Sequence, residues 1–343
     1  MYNRRQFGRL AIGAVPTALA FAKLSKIHGV EVGVAGYSYN TLPRLGLLDA
    51  IIASMKDAGI GSCLLYAPAT EPVDLADKAR PAGRGGFGGP GGGRGGSGGG
   101  RAGGFGGSGG RGPGGGGRAP MSPEQAAAVE ALHQWHLTVP PTYYTAIRRK
   151  FADSGLTIDG FDVTSTLTGN VTDDDITKVV EATKALGADR MMCAVVKSVA
   201  KRIAPIAEKH NMKVGLQGRP NMNATDPDAM AKPADFEEAV GYSKNFGTSI
   251  DVGDATGGGW NVLKFIQDTH SSIFALNLKD RTKANVSMPW GQGDSQIKEI
   301  LQIVRDKKYP VRCYIDCDFA TAEGTTRVAD VKRCMEFAKS ALS

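Results

Sequence analysis

The chain has 343 residues, of which 41% are hydrophobic and 22% charged, which is typical of a globular protein of one large domain or two small ones. Its formal net charge of +7 is concentrated in two segments without acidic residues: residues 1–22 carry three arginines and residues 79–118 carry six. The remainder has a net charge near −2, so the high pI does not indicate a nucleic-acid-binding face on the folded domain.

The five cysteines are scattered and form no Cys-x-x-Cys pair, so neither a zinc ribbon nor a dithiol redox motif is supported. Cys313 and Cys317 are predicted on one face of a strand, too far apart along it for a disulfide.

Residues 3–9 contain two adjacent arginines followed by Phe7 and Arg9, and resemble a twin-arginine export signal. The apolar run over residues 10–22 is too short to span a bilayer, which needs about 20 residues. Small residues between 18 and 22 fit a cleavage site, although a basic tail before an amphipathic helix is the alternative. We predict a signal over residues 1–25, export to the periplasm or the cell exterior, and no membrane span.

Apolar segments with strand character alternate with segments of helical periodicity along the rest of the chain. The predicted strands cover residues 30–35, 60–66, 157–163, 190–196, 212–217, 248–251, 273–277 and 311–316. The predicted helices cover residues 45–58, 143–154, 173–186, 199–210, 234–246, 262–270, 295–306 and 327–342. Ser122 and Pro123 form a further helix start, with an N-cap followed by Pro at the first helical position.

A glycine- and arginine-rich segment follows the second strand, and 24 of the 47 glycines lie between Gly83 and Gly117. Such a composition cannot bury enough apolar surface to fold, so we predict a disordered insert over residues 79–120. Its Phe-Gly-Gly and Arg-Gly-Gly repeats are also found in nucleic-acid-binding tracts. In an exported protein, a solvated loop is the favoured interpretation.

Eight strand–helix units, in about 250 residues once signal and insert are subtracted, predict an α/β fold: a (β/α)₈ TIM barrel over residues 26–343. An open doubly wound sheet is the alternative, but no Gly-x-Gly-x-x-Gly follows the first strand, so no nucleotide cofactor is expected. Alternation along strand seven would turn Ala275, Asn277 and Lys279 inward. In strand eight it would turn Tyr314 and Asp316 inward, together with Arg312.

Four successive strands end in a side chain that carries an oxygen: Gln217, Asp251, Asn277 and Asp316. In a closed parallel barrel the carboxyl ends of the strands converge on one mouth, where active sites lie. Converging oxygen ligands indicate a site for a hard metal ion or for sugar hydroxyls.

Several segments at the later strand–helix junctions resemble the sugar phosphate isomerase/epimerase family of xylose-isomerase-like barrels, a superfamily that also contains endonuclease IV. These segments are Gly187 to Arg190, Ala207 to Gly215, Asp251 to Gly253, Leu278 to Arg281, Pro289 to Asp294 and Val331 to Cys334. The resemblance extends from about residue 29 to the end of the chain, except for the insert.

The resemblance implies a divalent metal ion at the strand ends, held in the family by Glu or His, Asp, His and Glu. The matching positions here are Gln217, Asp251, Asn277 and Asp316, and only Asp251 is unchanged. None of the five histidines falls at a predicted strand end, which disfavours a His-based zinc or manganese site. The four oxygen ligands could hold Mg²⁺, Mn²⁺ or Ca²⁺, or could hydrogen-bond sugar hydroxyls without a metal.

The resemblance further implies proton abstraction alpha to a sugar carbonyl, with Asp316 and Asp251 as catalytic carboxylates. Because Gln217 cannot ionise, one-base isomerisation or elimination by Asp316 is favoured over symmetric two-base epimerisation. Lys279, Arg281 or Lys197 could supply positive charge if the metal ion is absent. Residues predicted to bind substrate are Gln217, Arg219, Asp254, Asp280, Arg281 and Trp290, the last as a lid over the mouth.

Our hypothesis is therefore an exported sugar isomerase or epimerase acting on a free or oxidised sugar rather than a phosphorylated one. A non-catalytic sugar-binding barrel that has lost its metal is the alternative. A DNA-repair nuclease is disfavoured by the missing histidines and by export, so no nucleic-acid partner is expected. The sequence leaves the oligomeric state open, a homo-oligomer included.

Overall fold

The structure is a computed structural model that describes residues 25–80 and 121–343. The predicted export signal, except Ser25, and nearly all of the predicted insert lie outside the described residues. Ser25 belongs to the fold, because its buried hydroxyl accepts a hydrogen bond from the Gly61 amide at 2.6 Å.

Eight parallel strands form a closed barrel, which confirms the predicted (β/α)₈ architecture. They are β1 Val30–Ala35, β2 Ser62–Tyr66, β3 Thr157–Asp162, β4 Arg190–Ala194, β5 Lys213–Gln217, β6 Phe246–Asp251, β7 Ile273–Leu278 and β8 Arg312–Ile315. Each strand pairs with its sequence neighbours, and β1 also pairs with β8, which closes the sheet. This closure excludes the open doubly wound alternative.

The helices surround the barrel and bury their apolar faces against the outer side of the strands. They are α1 Leu47–Ala58, α2 Val73–Ala79, α3 Pro123–Thr138, α4 Pro141–Asp153, α5 Asp173–Ala185, α6 Lys197–His210, α7 Pro233–Val240, α8 Val252–Gly257, α9 Val262–Thr269, α10 Ile297–Lys307 and α11 Arg327–Leu342. Short 3₁₀ turns cover Gly36–Tyr39, Ala67–Ala69 and His270–Ser272. Lys26–Ile27 pairs antiparallel with β1, and Asp280–Arg281 pairs with Ser287–Met288 in a small ribbon.

Most predicted boundaries agree with the structure within a few residues, but the helix predicted over 234–246 was wrong at its end. Helix α7 stops before Gly241, and Phe246 already belongs to β6. The side-chain amide of Asn245 donates hydrogen bonds to the carbonyls of Ala207 and Met212 at 3.2 and 3.1 Å, and this fixes the segment beside the preceding unit.

The N-terminal boundary of the predicted insert is corrected, because α2 continues through Ala79. That side chain is buried against Ala128 and Leu132 of α3, and Gln125 Nε2 donates to its carbonyl at 3.3 Å. The next residue, Arg80, forms an ion pair with Glu71. The helical pattern was hidden by its shortness, and residues 79 and 80 belong to the folded barrel.

Side chains fill the interior of the barrel in a small cluster separate from the main core between strands and helices. This interior cluster consists of Ala35, Leu64, Met192, Ala275 and Tyr314. It fits because small residues stand opposite the large ones: a Cβ at Gly215 would lie 2.3 Å from Met192 Sδ. The cluster confirms the predicted inward direction of Ala275 and Tyr314.

Candidate active site at the carboxyl end of the barrel

The inward-facing side chains beyond the interior cluster are polar and lie at the carboxyl ends of adjacent strands. Asp251 of β6 is the register partner of Asn277 of β7. The backbone N–H of Asp316, which follows β8, donates to the Leu278 carbonyl at 3.2 Å. Three of the four predicted strand-end residues therefore come together because the barrel closes.

Lys279 lies at the centre of this group, which we call the mouth cluster: Asp251, Asn277, Lys279, Arg281, Asp254, Asp316 and Asp318. Its Nζ is 2.7 Å from an oxygen of Asp251, 3.6 Å from Asp316 and 3.9 Å from Asp318. The ammonium also lies 5.2 Å from the centre of the Tyr37 ring, within the range of a cation–π interaction. Only 8% of Lys279 is exposed.

A second cation lies nearer to solvent. Arg281 forms ion pairs with Asp254, at 3.1 Å, and with Asp318. Asp318 therefore contacts both cations and links the inner and outer parts of the mouth cluster. Arg281 forms no ion pair with the adjacent Asp280 in the described structure, because Asp280 accepts backbone N–H groups of the following loop instead.

Asp251 has a structural contact as well as its ion pair. It is the N-cap of α8, and one carboxylate oxygen accepts the Asp254 N–H at 3.0 Å, while the other contacts Lys279. Asp at a helix N-cap is stabilised by the unpaired amides of the first turn. The glycine-rich segment that follows Asp251 is therefore a short helix, and its first turn fixes the Asp251 side chain.

Asp316 is held from both sides by the segment that follows β1. The Ser38 hydroxyl donates to the Ile315 carbonyl at 3.1 Å and accepts the Cys317 N–H at 2.9 Å. Ser38 is fully buried, and Asp316 is only 3% exposed. These two hydrogen bonds fix the backbone on either side of Asp316 and hence the place of its carboxyl group.

Burial changes the acidity of the central carboxyl groups. Burial raises the pKa of Asp316 to about 8 and that of Asp251 to about 6, and the attraction of Lys279 only partly opposes this effect. Burial alone would lower the pKa of Lys279, but the surrounding carboxylates raise it well above its ordinary value. The site thus combines a permanent cation with a carboxyl group that can exchange a proton near neutral pH.

Two acceptors in the mouth cluster have no hydrogen-bond partner among the described residues: Asn277 Oδ1 and Asp316 Oδ1. Both side chains are more than nine-tenths buried. Buried polar atoms are nearly always satisfied in native proteins, so unpaired atoms at a barrel mouth indicate a place for a ligand. Hydroxyl groups are the simplest donors to such oxygens.

Gln217 lies next to the mouth cluster but is engaged in a separate network. Its amide oxygen accepts from the Thr164 hydroxyl at 3.4 Å, and its amide nitrogen donates to Ser249 Oγ at 3.3 Å. The Thr164 hydroxyl in turn accepts the Ala194 N–H at 3.0 Å. Gln217 therefore connects β5 to β6 through Ser249 and to the segment after β3 through Thr164.

The other predicted substrate-binding residues are placed differently. Arg219 is exposed, and no hydrogen bond or ion pair in the described part of the chain joins its side chain to the mouth cluster. Asp280 is 4% exposed and accepts three backbone N–H groups, from Gly291, Gly293 and Ser295, so it organises that loop.

Trp290 is 8% exposed. Its Nε1 donates to the Leu278 carbonyl at 3.0 Å, and its ring packs edge-on against Phe337 of α11. Its use as a sugar lid, like the substrate roles of Arg219 and Asp280, stays a prediction. Lys197 pairs with Asp235 and Glu238 at the start of α6.

Sequence reasoning did not select Tyr37, Ser38, Thr164 or Ser249. Tyr37 and Thr164 lie two residues beyond the ends of β1 and β3, near the strand-end position that identified Asp316, but neither carries a charge. Asp318 lies two residues beyond Asp316 in the sequence. The structure places both carboxyl groups within 4 Å of Lys279 Nζ.

The predicted metal ligands fit a divalent ion poorly. The oxygen of Gln217 is engaged, and Asp251 and Asp316 already contact the Lys279 ammonium. Within residues 25–80 and 121–343, no three His, Cys, Asp or Glu side chains are arranged to hold a metal ion. A divalent ion 4 Å from the ammonium would be repelled by about 8 kcal/mol at an effective dielectric constant of about 20. No catalytic step is therefore derived through a metal.

No helix in the described part of the chain is both long enough and apolar enough to cross a bilayer.

Comparison with solved structures finds the same barrel in proteins of very different sequence. A putative xylose isomerase from Rhodospirillum rubrum is 10% identical with a TM-score of 0.58, over 92% of this chain and 99% of that one. An L-ribulose 3-epimerase is 11% identical with a TM-score of 0.55, over 91% and 94% of the two chains. The probable 3-DHS dehydratase of petrobactin synthesis from Bacillus anthracis is 11% identical with a TM-score of 0.52, over 89% and 97%.

No protein-family model and no curated protein matches the chain. At 10–11% identity, these solved structures show a shared (β/α)₈ barrel fold and do not assign an activity to this chain.

Proposed function

We propose that this barrel removes a proton alpha to the carbonyl group of a sugar, as an isomerase, an epimerase or a dehydrating lyase. The observation that carries the proposal is the contact of two buried carboxyl groups, Asp251 and Asp316, with one ammonium group at the carboxyl end of a closed barrel. Active sites of such barrels lie at this end.

Asp316, Lys279 and Asp251 have different roles in the proposed reaction. Asp316 takes the proton from the carbon, since a general base works best when its pKa lies near the working pH. The electron pair of that C–H bond moves toward the carbonyl oxygen, which becomes an enediolate oxygen, and Lys279 stabilises its negative charge. Asp251 holds the ammonium in position from the opposite side at 2.7 Å.

The intermediate can then proceed in two ways, both balanced in protons. For an isomer, Asp316 delivers its proton to the neighbouring carbon, and the hydroxyl proton of the deprotonated carbon moves to the enediolate oxygen. An epimer forms only when water delivers a proton to the opposite face of the same carbon, and Asp316 then gives its proton to water. Alternatively, a hydroxyl group on the next carbon leaves as water with that proton, which gives an unsaturated keto-sugar. Neither route requires an external oxidant or reductant.

The charge of the mouth cluster favours a neutral sugar. Four carboxyl groups, those of Asp251, Asp254, Asp316 and Asp318, face two cations, Lys279 and Arg281. A phosphorylated substrate would add negative charge to a site that already has an excess of acidic groups. The unpaired oxygens of Asn277 and Asp316 instead suit hydroxyl donors.

The fold neighbours support the general kind of reaction. Their names describe an isomerase, an epimerase and a dehydratase, three reactions that can share removal of a proton beside a carbonyl group. The names alone do not select a sugar for this chain, and none is assigned.

The test is incubation of the full chain in D₂O with a panel of unphosphorylated ketoses, aldoses and keto-sugars, beside their phosphate esters. We expect NMR to show deuterium at the carbon alpha to the carbonyl of at least one neutral sugar. Asp316→Asn should abolish the exchange, while Asp306→Asn, an exposed aspartate on α10, should leave it unchanged.

A different outcome would favour the alternative. If no sugar exchanges a proton but a neutral sugar raises the melting temperature and Asn277→Ala removes that effect, the chain is a sugar-binding barrel without catalysis. Exchange that survives in Asp316→Asn would contradict the assigned base.

We also propose that the protein is exported by the twin-arginine route, from the arginine pair at residues 4 and 5. Replacement of both arginines by lysine should keep the chain in the cytoplasm of a bacterial host, whereas the same change at Arg148 and Arg149 of α4 should not. Equal export of both variants would contradict this route.

A further inference from the structure

The mouth cluster contains more than a cation near acids, because the position of Lys279 is built into the fold. A Cβ at Gly253 would lie 2.8 Å from Lys279 Cβ and 3.2 Å from its carbonyl oxygen. Only a glycine at position 253 of α8 therefore leaves room for Lys279, which follows the last residue of β7, to lie so close to this helix. Tyr37 covers the ammonium from the side of β1.

The carboxylates around Lys279 come from separate strands, and no other cation in the described residues reaches all of them. Asp251 is the last residue of β6, and Asp316 and Asp318 follow β8. The Nζ of Lys279 nevertheless lies within 4 Å of all three carboxylates. Arg281 reaches Asp318 and Asp254 but forms no ion pair with Asp251 or Asp316 in the described structure. A buried group of carboxylates needs a compensating cation, because isolated buried charge is costly.

We propose that the Lys279 ammonium is the resident cation of this site and takes the place of a divalent metal ion between Asp251 and Asp316. The positive charge is then covalently attached to the chain and requires no loading from solution. The role of this ammonium in the reaction rests on the proposed function: it binds the carbonyl oxygen that becomes negative.

The proposal makes a prediction about metal binding that does not need a substrate. Removal of the ammonium leaves Asp251, Asp316 and Asp318 together with the unpaired oxygen of Asn277. Carboxylate and amide oxygens of this kind suit a hard divalent cation. In the described structure no three acidic side chains are arranged to hold a metal ion, so these carboxylates must move together once the ammonium is gone. We expect the full-length Lys279→Met variant to gain in this way a site for Mn²⁺ that the natural chain lacks.

Free Mn²⁺ is measured by its electron paramagnetic resonance signal during titration of each protein at one pH and ionic strength. We expect about one extra equivalent bound to Lys279→Met, at an affinity about tenfold or more above that of the natural chain. The control Lys264→Met removes an exposed lysine paired only with Asp268, and it should bind as the natural chain does. Adding Asp251→Asn to Lys279→Met should remove the new site.

A second measurement uses the natural chain and so does not depend on the folding of a variant. Elemental analysis of the purified chain before any chelator is added should find no divalent metal at stoichiometric amount, and subsequent dialysis against EDTA should not lower the melting temperature. A stoichiometric metal ion that Asp251→Asn releases would overturn the proposal. A folded Lys279→Met variant that gains no Mn²⁺ site would overturn it as well.

Failure of this inference and failure of the proposed function can be told apart. If Mn²⁺ binds only after Lys279 is replaced but no sugar exchanges its proton, the proposal of a resident cation is supported and the proposed catalytic function is contradicted. If sugars exchange their protons but the natural chain requires a bound divalent ion, the proposed reaction is supported and the proposal of a resident cation is contradicted.

Discussion

The two ends of the barrel interior both carry buried charge, but they use it differently. At the amino-terminal end, Arg312 Nη1 donates to the Asp159 carbonyl at 3.0 Å and to Asp189 at 3.1 Å, and the Tyr314 hydroxyl donates to Asp159 at 3.0 Å. Arg190 completes this end with hydrogen bonds to Asp189 and to the Phe274 carbonyl. None of these side chains carries a buried polar atom without a partner in the described structure.

The mouth cluster at the opposite end leaves the acceptors of Asn277 and Asp316 unpaired, together with Arg281 Nε. The amino-terminal end therefore shows what a charge network looks like when it only stabilises the fold, because each group there has found a partner. The difference shows that burial and charge alone do not identify a site, and that the unpaired acceptors beside a buried cation distinguish the carboxyl end from the amino-terminal end.

The sharpest way to test the comparison is to neutralise one aspartate at each end. Asp316→Asn should reduce the proton-exchange rate by about 10²- to 10⁴-fold, the usual contribution of a general base, and change the unfolding free energy by about 1 kcal/mol or less. Asp159→Asn should leave the exchange rate per folded molecule unchanged. The rate is followed by NMR in D₂O, and equal losses in both variants would contradict the division of roles.

The second prediction removes a cation from the amino-terminal end. Arg312→Met leaves Asp159 and Asp189 without one of their partners, and we expect a loss of about 3 kcal/mol in unfolding free energy. Urea denaturation measures this loss, and the exchange rate of the remaining folded protein serves as the control. A fully stable variant would show that these pairs do not hold the barrel together.

The third prediction concerns pH. Burial raises the pKa of Asp159 to about 6 from the value of 3.8 expected when unfolded. Between these two values the folded state binds more protons than the unfolded state, so stability is fully present below about pH 4 and falls as pH rises to about 6. The contribution of Asp159 to this fall is about 2–3 kcal/mol.

Asp159→Asn should remove that contribution, so the difference in unfolding free energy between pH 4 and pH 6 should change by the same amount. Asp57→Asn, at an exposed aspartate paired with Lys332, is the matched control. If the pH dependence of Asp159→Asn equals that of the natural chain, the buried carboxyl group is not the origin of the slope.

The smallest effect is expected at Ser38, which holds the backbone on both sides of Asp316. Ser38→Ala removes both hydrogen bonds and leaves the Cys317 N–H buried without an acceptor, at a cost of about 1–3 kcal/mol. Because Asp316 then loses its fixed position, kcat should fall more than KM rises. The opposite pattern would indicate that Ser38 only stabilises the fold.

The sequence by itself predicted the architecture. Eight apolar segments, each followed by a helical pattern, indicated a parallel α/β sheet, and the number of units favoured a closed barrel over an open doubly wound sheet. The pairing of β1 with β8 in the structure then excluded the open sheet. Alternation along the strands directed Asn277, Lys279 and Asp316 inward, since side chains in a strand point to opposite faces in turn. The position of active sites at the carboxyl end then selected the strand ends as candidates.

Only the tertiary structure decided which of these candidates act together. The glycine-rich segment after Asp251 reads as a turn, but packing against β7 makes it a short helix capped by that aspartate. Asp280 and Arg281 are adjacent in sequence, yet the first binds loop amides and the second binds distant carboxylates. The central place of Lys279 depends on contacts between residues far apart in the chain, which local patterns do not encode, because closure of the barrel alone brings them within reach.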